Sequence, residues 1–196
     1  MHLPRKAAAI GRPRQFLPEA ALQNALDVFW RKGFEATSLQ DLLDAMQLSR
    51  SSFYACFGSK QGIFTAAVQA YADACFANFS AVAHASPDPI AGVQAVLAAV
   101  VDTDGGTRGC FFVNSVTELA PNDAEFASYG QGHIARVASL VTGLLVRAGF
   151  TPGLAEDRAG AALALAIGAI TLRKAGIPAA RVQVLLKQSE ALLCLP

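Results

Sequence analysis

The 196-residue chain is long enough for one or two compact domains, and 53% of its residues are hydrophobic while only 16% are charged. So low a charged fraction favours a buried interface between subunits over a lone monomer. Four cysteines without a C-x-x-C pair argue against a disulfide framework or a zinc site, and no apolar run reaches the roughly 20 residues of a membrane span. The composition therefore predicts a cytoplasmic protein with no membrane partner, metal or cofactor.

Charge is distributed unevenly along the chain although the formal net charge is only +1. Residues 1–60 carry 8 Lys/Arg against 5 Asp/Glu, whereas residues 61–196 carry 8 against 10. The first fourteen residues include Arg5, Lys6, Arg12 and Arg14 and no acid. Cations near phosphates release condensed counterions, so Arg12 and Arg14 in this basic arm are candidate DNA contacts. A solvated tail is the alternative.

Helical spacing of apolar residues recurs throughout the chain, and no strand-period alternation persists. The pattern predicts an all-α fold of about nine helices. Apolar residues from Leu22 to Phe29 define a first helix that Pro18 can open and Gly33 can close. A second helix is predicted to begin at Thr37, whose hydroxyl can cap the N-terminus. Gln40, three residues on, can complete a capping box.

A short third helix is predicted between Ser49, a good N-cap, and Gly58. Phe53 and Phe57 are four residues apart and can anchor one side of it in a core. The other side is polar, and a helix this short buries little, so that face needs another purpose. The segment from residue 37 to residue 57 has the dimensions of a helix-turn-helix, whose second helix enters the major groove of DNA. Arg50 can pair with guanine O6 and N7 there.

The rest of the chain reads as further helices joined by short turns. Ser59 can cap a long fourth helix, and a Gly-rich loop spans Asp102–Gly109. We expect a basic arm over residues 1–14, a three-helix helix-turn-helix domain over residues 15–62, and a helical-bundle domain over residues 63–196. The later segments are a turn and helix start at Ser86–Pro89 and helices near Cys110–Ala120, Ala124–Ala148, Pro152–Lys174 and Pro178–Leu193.

Three motifs resemble the opening of TetR-family regulators: GRPR at residues 11–14, ALDVF at 25–29 and KGFEATS at 32–38. They are followed by LSRSSFYACFGSK at residues 48–60, which closely matches the helix-turn-helix of that family. The sequence departs from the family at Cys56, where many members carry His, and at Leu48, where Val is usual.

The resemblance implies a homodimer that sets two recognition helices into successive major grooves of a palindromic operator. By analogy with the family, Thr37, Tyr54 and Lys60 contact phosphates, while Arg50, Ser51 and Ser52 face bases. The full set of predicted DNA-binding residues is Arg12, Arg14, Thr37, Ser38, Ser49, Arg50, Ser51, Ser52, Tyr54 and Lys60.

The segment from Arg108 to Leu119 resembles the Gly-Cys stretch of a TetR subgroup that includes electrophile-sensing repressors. In those sensors a reactive Cys at a helix start is modified, and a Lys late in the next-to-last helix takes part; Cys110 and Lys174 stand at the comparable places. A helix N-terminus favours a thiolate, and Arg108 would add to that effect if it pointed inward. The effector or redox candidates are Cys110, Arg108, Phe111, Asn114, Glu118 and Lys174. The alternative is that Cys110 is an apolar filler, as we expect of Cys56, Cys75 and Cys194.

Alternatively, the helical-bundle domain over residues 63–196, called the body below, contains a conventional pocket for a small-molecule effector. Its polar groups would be Asn114, Glu118 and Tyr129. The aromatic residues that can line it, and that can equally be core, are Phe76, Phe79, Phe111, Phe112, Tyr129 and His133.

A dimer seam is predicted along the Pro152–Lys174 helix, where Gly160, Ala164 and Gly168 are spaced four apart and let two helices approach closely. Ile167 flanks this stripe, and Leu185 and Leu192 extend the face on the last helix. The same faces can instead pack within one monomer.

Two other classes of protein compete with a DNA-binding regulator. An enzyme with Cys110 as nucleophile would need a base, and beyond His2 the chain offers only His84 and His133, neither near Cys110 in sequence. A dimeric adaptor that does not bind DNA would not need the basic arm. We therefore expect a regulator and not an enzyme.

Overall fold

The computed structural model describes residues 18–102 and 106–188, and this part of the chain is helical with no strand. A 3₁₀ turn at Gly106–Arg108 precedes the sixth helix. The prediction of an all-α fold with about nine helices is confirmed. The helices are α1 (Pro18–Lys32), α2 (Leu39–Met46), α3 (Arg50–Phe57), α4 (Lys60–Ala85), α5 (Pro89–Val101), α6 (Phe111–Leu119), α7 (Ala124–Arg147), α8 (Pro152–Lys174) and α9 (Ala179–Lys187).

The N-terminus of α2 is capped by Ser38 and not by Thr37. The Ser38 hydroxyl accepts the Asp41 N–H at 3.1 Å, and the Asp41 carboxylate accepts the Ser38 N–H at 2.9 Å. This is a capping box with Asp41 in place of Gln40. Thr37 is buried, and its hydroxyl donates to the Gly33 carbonyl at 2.6 Å. The predicted Thr37 cap was wrong by one residue because Thr37 and Ser38 are both good capping residues.

The caps predicted for α3 and α4 are confirmed. The Ser49 hydroxyl accepts the Ser52 N–H at 3.2 Å, and the Ser59 hydroxyl accepts the Gly62 N–H at 2.9 Å. Between α2 and α3, Gln47 takes the left-handed conformation with φ of 55°. These local bonds fix the turn that sets α3 against α2.

Helix α4 packs in both halves of the molecule. Near its start, Phe64 meets Phe29 of α1 and Phe34 of the α1–α2 turn, with ring centroids 4.9 Å apart in each case. Further along, Phe79 and Ala83 are buried where α4 packs against α5 and α7. Helix α8 buries a row of alanines, which allows a close approach to α7 and α5. None of the helices in residues 18–102 and 106–188 is long and apolar enough to cross a membrane.

Candidate nucleic-acid interface and body site

Helix α3 is anchored by one side and exposed on the other. Phe53 is fully buried, and its ring lies 5.8 Å from that of Phe57 and edge-on to that of Tyr54 at 5.4 Å. Tyr54 is nevertheless 48% exposed. On the same outer face Arg50 is exposed, and Ser49 shares hydrogen bonds with the hydroxyls of its neighbours, Ser51 at 3.0 Å and Ser52 at 2.9 Å. The polar N-terminal end of α3 is therefore free to meet a partner.

Thr37 and Lys60 have structural roles that the family analogy did not predict. The Lys60 ammonium donates to the carbonyls of Phe34 and Thr37, both at 2.8 Å, and stands 4.3 Å from the Phe34 ring centroid. Two of its three donors thus close the α1–α2 turn. The Thr37 side chain is 1% exposed, so it does not present its hydroxyl to a phosphate, and that prediction is wrong for this structure. Arg12 and Arg14 lie outside the described residues.

Glu118, near the end of α6, contacts the helix-turn-helix half of the molecule. Its two carboxylate oxygens accept the N–H groups of Phe34 and Glu35, each at 3.0 Å. Gly33 makes room for it, because a Cβ there would lie 3.0 Å from Glu118 Oε2, and its φ of +81° also favours glycine. The assignment of Glu118 to the effector site is therefore wrong: it joins α6 to the α1–α2 turn.

A second joint links the start of α6 to α1. The indole N–H of Trp30 donates to the Gly109 carbonyl at 3.2 Å. The Arg108 guanidinium lies 4.3 Å from the Trp30 ring centroid and 3.6 Å from the Asp27 carboxylate. Arg108 thus bonds to α1, and the inward orientation that would have supported a Cys110 thiolate is not observed.

Cys110 is the N-cap of α6 and is 7% exposed, and its Sγ accepts a hydrogen bond from the Tyr71 hydroxyl at 3.7 Å. One turn on, the Asn114 amide donates to the Arg108 carbonyl at 2.8 Å, and its oxygen accepts from Lys174 Nζ at 2.8 Å. The Lys174 chain lies against Gly109, where a Cβ would come within 3.2 Å of its Cδ. The structure therefore brings Asn114 and Lys174 together beside the segment that carries Cys110.

A cavity of about 60 Å³ lies in the body behind Cys110. Of the predicted pocket residues Phe79, Phe112 and His133 line it, whereas Phe111 packs between Trp30, Phe64 and Tyr71 as core. Burial lowers the pKa of His133, Arg136 lowers it further and Asp73 opposes them. The imidazole is therefore mostly uncharged at neutral pH. Cys75 lines the cavity and packs against the core, as expected of an apolar filler, whereas Cys56 is exposed and does not fit that expectation. Cys194 lies outside the described residues.

A larger groove of about 710 Å³ lies between α1 and α4 and reaches the end of α5. Tyr71, Cys75 and Phe79 of α4 line both this groove and the cavity behind Cys110. Sequence patterns do not predict this groove, because its walls come from residues up to 83 positions apart that only the tertiary fold brings together. No group of three or more His, Cys, Asp or Glu side chains in the described ranges is placed to hold a metal ion.

The helix-turn-helix just described coincides with a known family pattern. Residues 21–67 match the family model described as bacterial regulatory proteins, tetR family. The match runs from α1 to the start of α4. The relatives include the HTH-type transcriptional repressor ComR of Escherichia coli, 34% identical over 122 residues, which are 60% of this chain and 58% of ComR. The HTH-type transcriptional regulator YezE of Bacillus subtilis is 32% identical over 61% of this chain and 63% of its own length. The chain thus matches about three fifths of the length of these relatives.

Solved TetR-family structures match nearly the whole fold. A cysteine mutant of the TetR family regulator CifR, complexed with 26-bp operator DNA, has a TM-score of 0.76 and 29% identity over 93% of this chain and 98% of CifR. Reduced E. coli NemR has the same TM-score over 91% of this chain and 97% of its own, and at 18% identity it shows similarity of fold alone. ComR and CifR are described as transcriptional regulators.

Proposed function

We propose that this chain is a dimeric transcriptional repressor of the TetR family that binds a palindromic operator and leaves it when a small molecule or electrophile acts on the body. The observation that carries the proposal is the exposed polar end of α3, held in place by the buried Phe53. The description of ComR as a repressor and the operator DNA bound to CifR agree with it.

In this proposal the N-terminal end of α3 faces the major groove. Arg50 reads a base pair, and the hydroxyls of Ser51 and Ser52 contact bases or phosphates. Because Thr37 is buried, Ser38 at the exposed N-terminus of α2 is the better candidate for a phosphate contact. Lys60 supports the turn that presents these groups, with its third donor left for a phosphate.

Binding to the DNA upstream of its own gene tests the proposal. We expect tight binding that weakens steeply as salt rises, because Lys and Arg contacts to phosphates release counterions. Arg50→Ala should weaken binding by about 1–3 kcal/mol, the value of a good bidentate base contact. Arg147→Ala is the matched control, since Arg147 is also exposed but lies on α7, away from α3. Equal affinity of the two variants for the operator would contradict the role of Arg50.

The proposed effector site is the start of α6. The Cys110 thiolate would add to one alkene carbon of a reagent such as N-ethylmaleimide, forming a C–S bond as the C=C π bond breaks. The other alkene carbon takes up the thiol proton. The product adds bulk beside the loop that Trp30, Asn114 and Lys174 hold. Since α6 also holds the α1–α2 turn through Glu118, a shift of α6 would reach the DNA-reading half.

Cys56 must be removed first in this experiment, because it is exposed on α3 and its modification would disturb DNA binding directly. We expect N-ethylmaleimide to release Cys56→Ser protein from the operator and to leave the Cys56→Ser/Cys110→Ser variant bound. If the reagent releases neither variant from the operator, the proposed repressor function stands and a reversible ligand is the effector. If it releases both equally, Cys110 is not the sensor.

A further inference from the structure

We propose that the groove between α1 and α4 is a binding site for a small organic cation with an apolar body, distinct from the Cys110 cavity. The groove encloses about 710 Å³, within the roughly 300–1,000 Å³ typical of sites for small molecules. One wall is α1 of the DNA-reading half, and the other comes from α4 and the end of α5. A ligand there would contact both halves of the molecule.

The polar groups of the groove favour a positively charged ligand. Glu19 and Asp102 contribute carboxylates, Gln23 and Asn78 contribute amides, and there is no Lys or Arg among its described lining residues. Asp102 is only loosely paired, since the Arg173 guanidinium stands 3.9 Å away and the Asp102 side chain is 85% exposed. Carboxylates in the lining attract a cation and repel an anion.

The aromatic wall favours the same class of ligand. Trp30 and Tyr71 meet edge to face with their ring centroids 5.3 Å apart, and both line the groove. The faces of both rings attract cations, and the Arg108 guanidinium, 4.3 Å from the Trp30 ring centroid, already occupies one of them, so a ligand cation would use the remaining aromatic surface. The remaining walls, from Leu22, Leu26 and Phe79, can cover the apolar body.

The groove also lies where a ligand can move α1. Trp30 bonds α1 to Gly109, and Tyr71 bonds α4 to Cys110. A ligand in contact with both rings would therefore act on both hydrogen bonds. Release from DNA by this route rests on the proposed function, whereas binding in the groove does not. The two can fail separately.

Trp30 is the only tryptophan of the chain, so its fluorescence reports on the groove directly. The full-length protein is titrated with benzyltrimethylammonium, and with phenylacetate and benzyl alcohol as anionic and neutral probes of similar shape. We expect the cation alone to cause a saturable change in emission. Glu19→Gln should weaken its binding by about fivefold, and addition of Asp102→Asn by about tenfold in total, since each removes a nearby charge. Glu125→Gln, at an exposed acid of α7, should change nothing.

Equal responses to all three probes, or equal affinity in Glu19→Gln and Glu125→Gln, would overturn the proposal. So would a response that appears only after Arg5, Lys6, Arg12 and Arg14 are replaced by Ala, because the basic arm would then be the occupant of the groove. Operator binding in the presence of the cation is measured separately. A cation that binds the groove without displacing DNA leaves the site in place and removes its link to repression.

Discussion

Asp41 stabilises the start of α2 through three contacts at once. Its carboxylate accepts a hydrogen bond from Lys32 at 2.7 Å, from the Ser38 N–H at 2.9 Å and from the Ser38 hydroxyl at 2.8 Å. The bond from Lys32 contributes most, followed by those from Ser38, and together they lower the Asp41 pKa from its ordinary 3.8 to about 2. The contacts stabilise the ionised carboxylate, and they connect α1 to α2, the first helix of the helix-turn-helix.

This pKa predicts how the stability of the protein changes with acid. Because the unfolded chain takes up a proton at Asp41 near pH 3.8 and the folded protein only near pH 2, the contribution of Asp41 is complete above about pH 4 and is lost as the pH falls to about 2. Asp41→Asn should remove this part of the pH dependence of the unfolding free energy. Asp44→Asn, on the same helix, is the control in denaturant titrations across that range. Parallel pH profiles for wild type and Asp41→Asn would contradict the role of this cap.

At the scale of the element, α6 connects the body to the helix-turn-helix half at both of its ends. Its start is held through Gly109 and Asn114, and its last turn holds the α1–α2 turn through Glu118. Lys60 donates to two carbonyls of the same turn, while Glu118 accepts from two of its amides. A shift along α6 therefore has a direct route to α2 and α3.

Glu118→Gln tests this connection. A Gln side chain keeps one acceptor oxygen, so one of the two backbone N–H groups loses its charge-assisted bond. We expect the unfolding free energy to fall by about 1.5–3 kcal/mol. Amide exchange at Phe34 and Glu35 should also become faster, as measured by NMR, while Glu125→Gln leaves it unchanged. Unaltered exchange at both residues would show that Glu118 does not hold the turn.

The sequence allows prediction of an element when its determinants are local. The bounds of α1, the caps at Ser49 and Ser59 and the start of α8 at Pro152 follow from residues within a few positions. The joint of Glu118 with Phe34 spans 84 residues, and the Trp30 bond to Gly109 spans 79. No periodicity or cap indicates which acid reaches which turn. Glu118 and Arg108 were assigned to the effector site for that reason, whereas the proximity of Lys174 to the Cys110 segment came from family resemblance.

At the scale of the whole molecule, α8 and α9 leave an apolar face uncovered within residues 18–102 and 106–188. Gly160, Ala164 and Gly168 are exposed, and a Cβ at either glycine would meet nothing within 4 Å. Large apolar side chains surround them, with exposures of 37–47% for Leu165, Leu172, Ile177, Val184 and Leu185. We propose this face as the dimer interface. Ile167 instead helps to line the buried cavity, and Leu192 lies outside the described residues.

A charge in this face should separate the subunits. We expect wild type to have the mass of a dimer in light scattering and Gly168→Glu to have that of a monomer, because an unpaired carboxylate in an apolar interface is costly to bury. Gly153→Glu is the control, since Gly153 is an equally open position at the start of the same helix. A dimeric Gly168→Glu protein would place the interface elsewhere.

The most direct test of a DNA-reading dimer is selection of binding sites from random-sequence DNA by the purified protein. We expect an inverted repeat whose half-sites lie one helical turn apart, roughly 34–36 Å between centres. Arg50→Ala should still select a repeat, with preference lost at one base pair in each half-site. Recovery of no enriched sequence, or of the same motif with Arg50→Ala, would contradict the reading of DNA by α3.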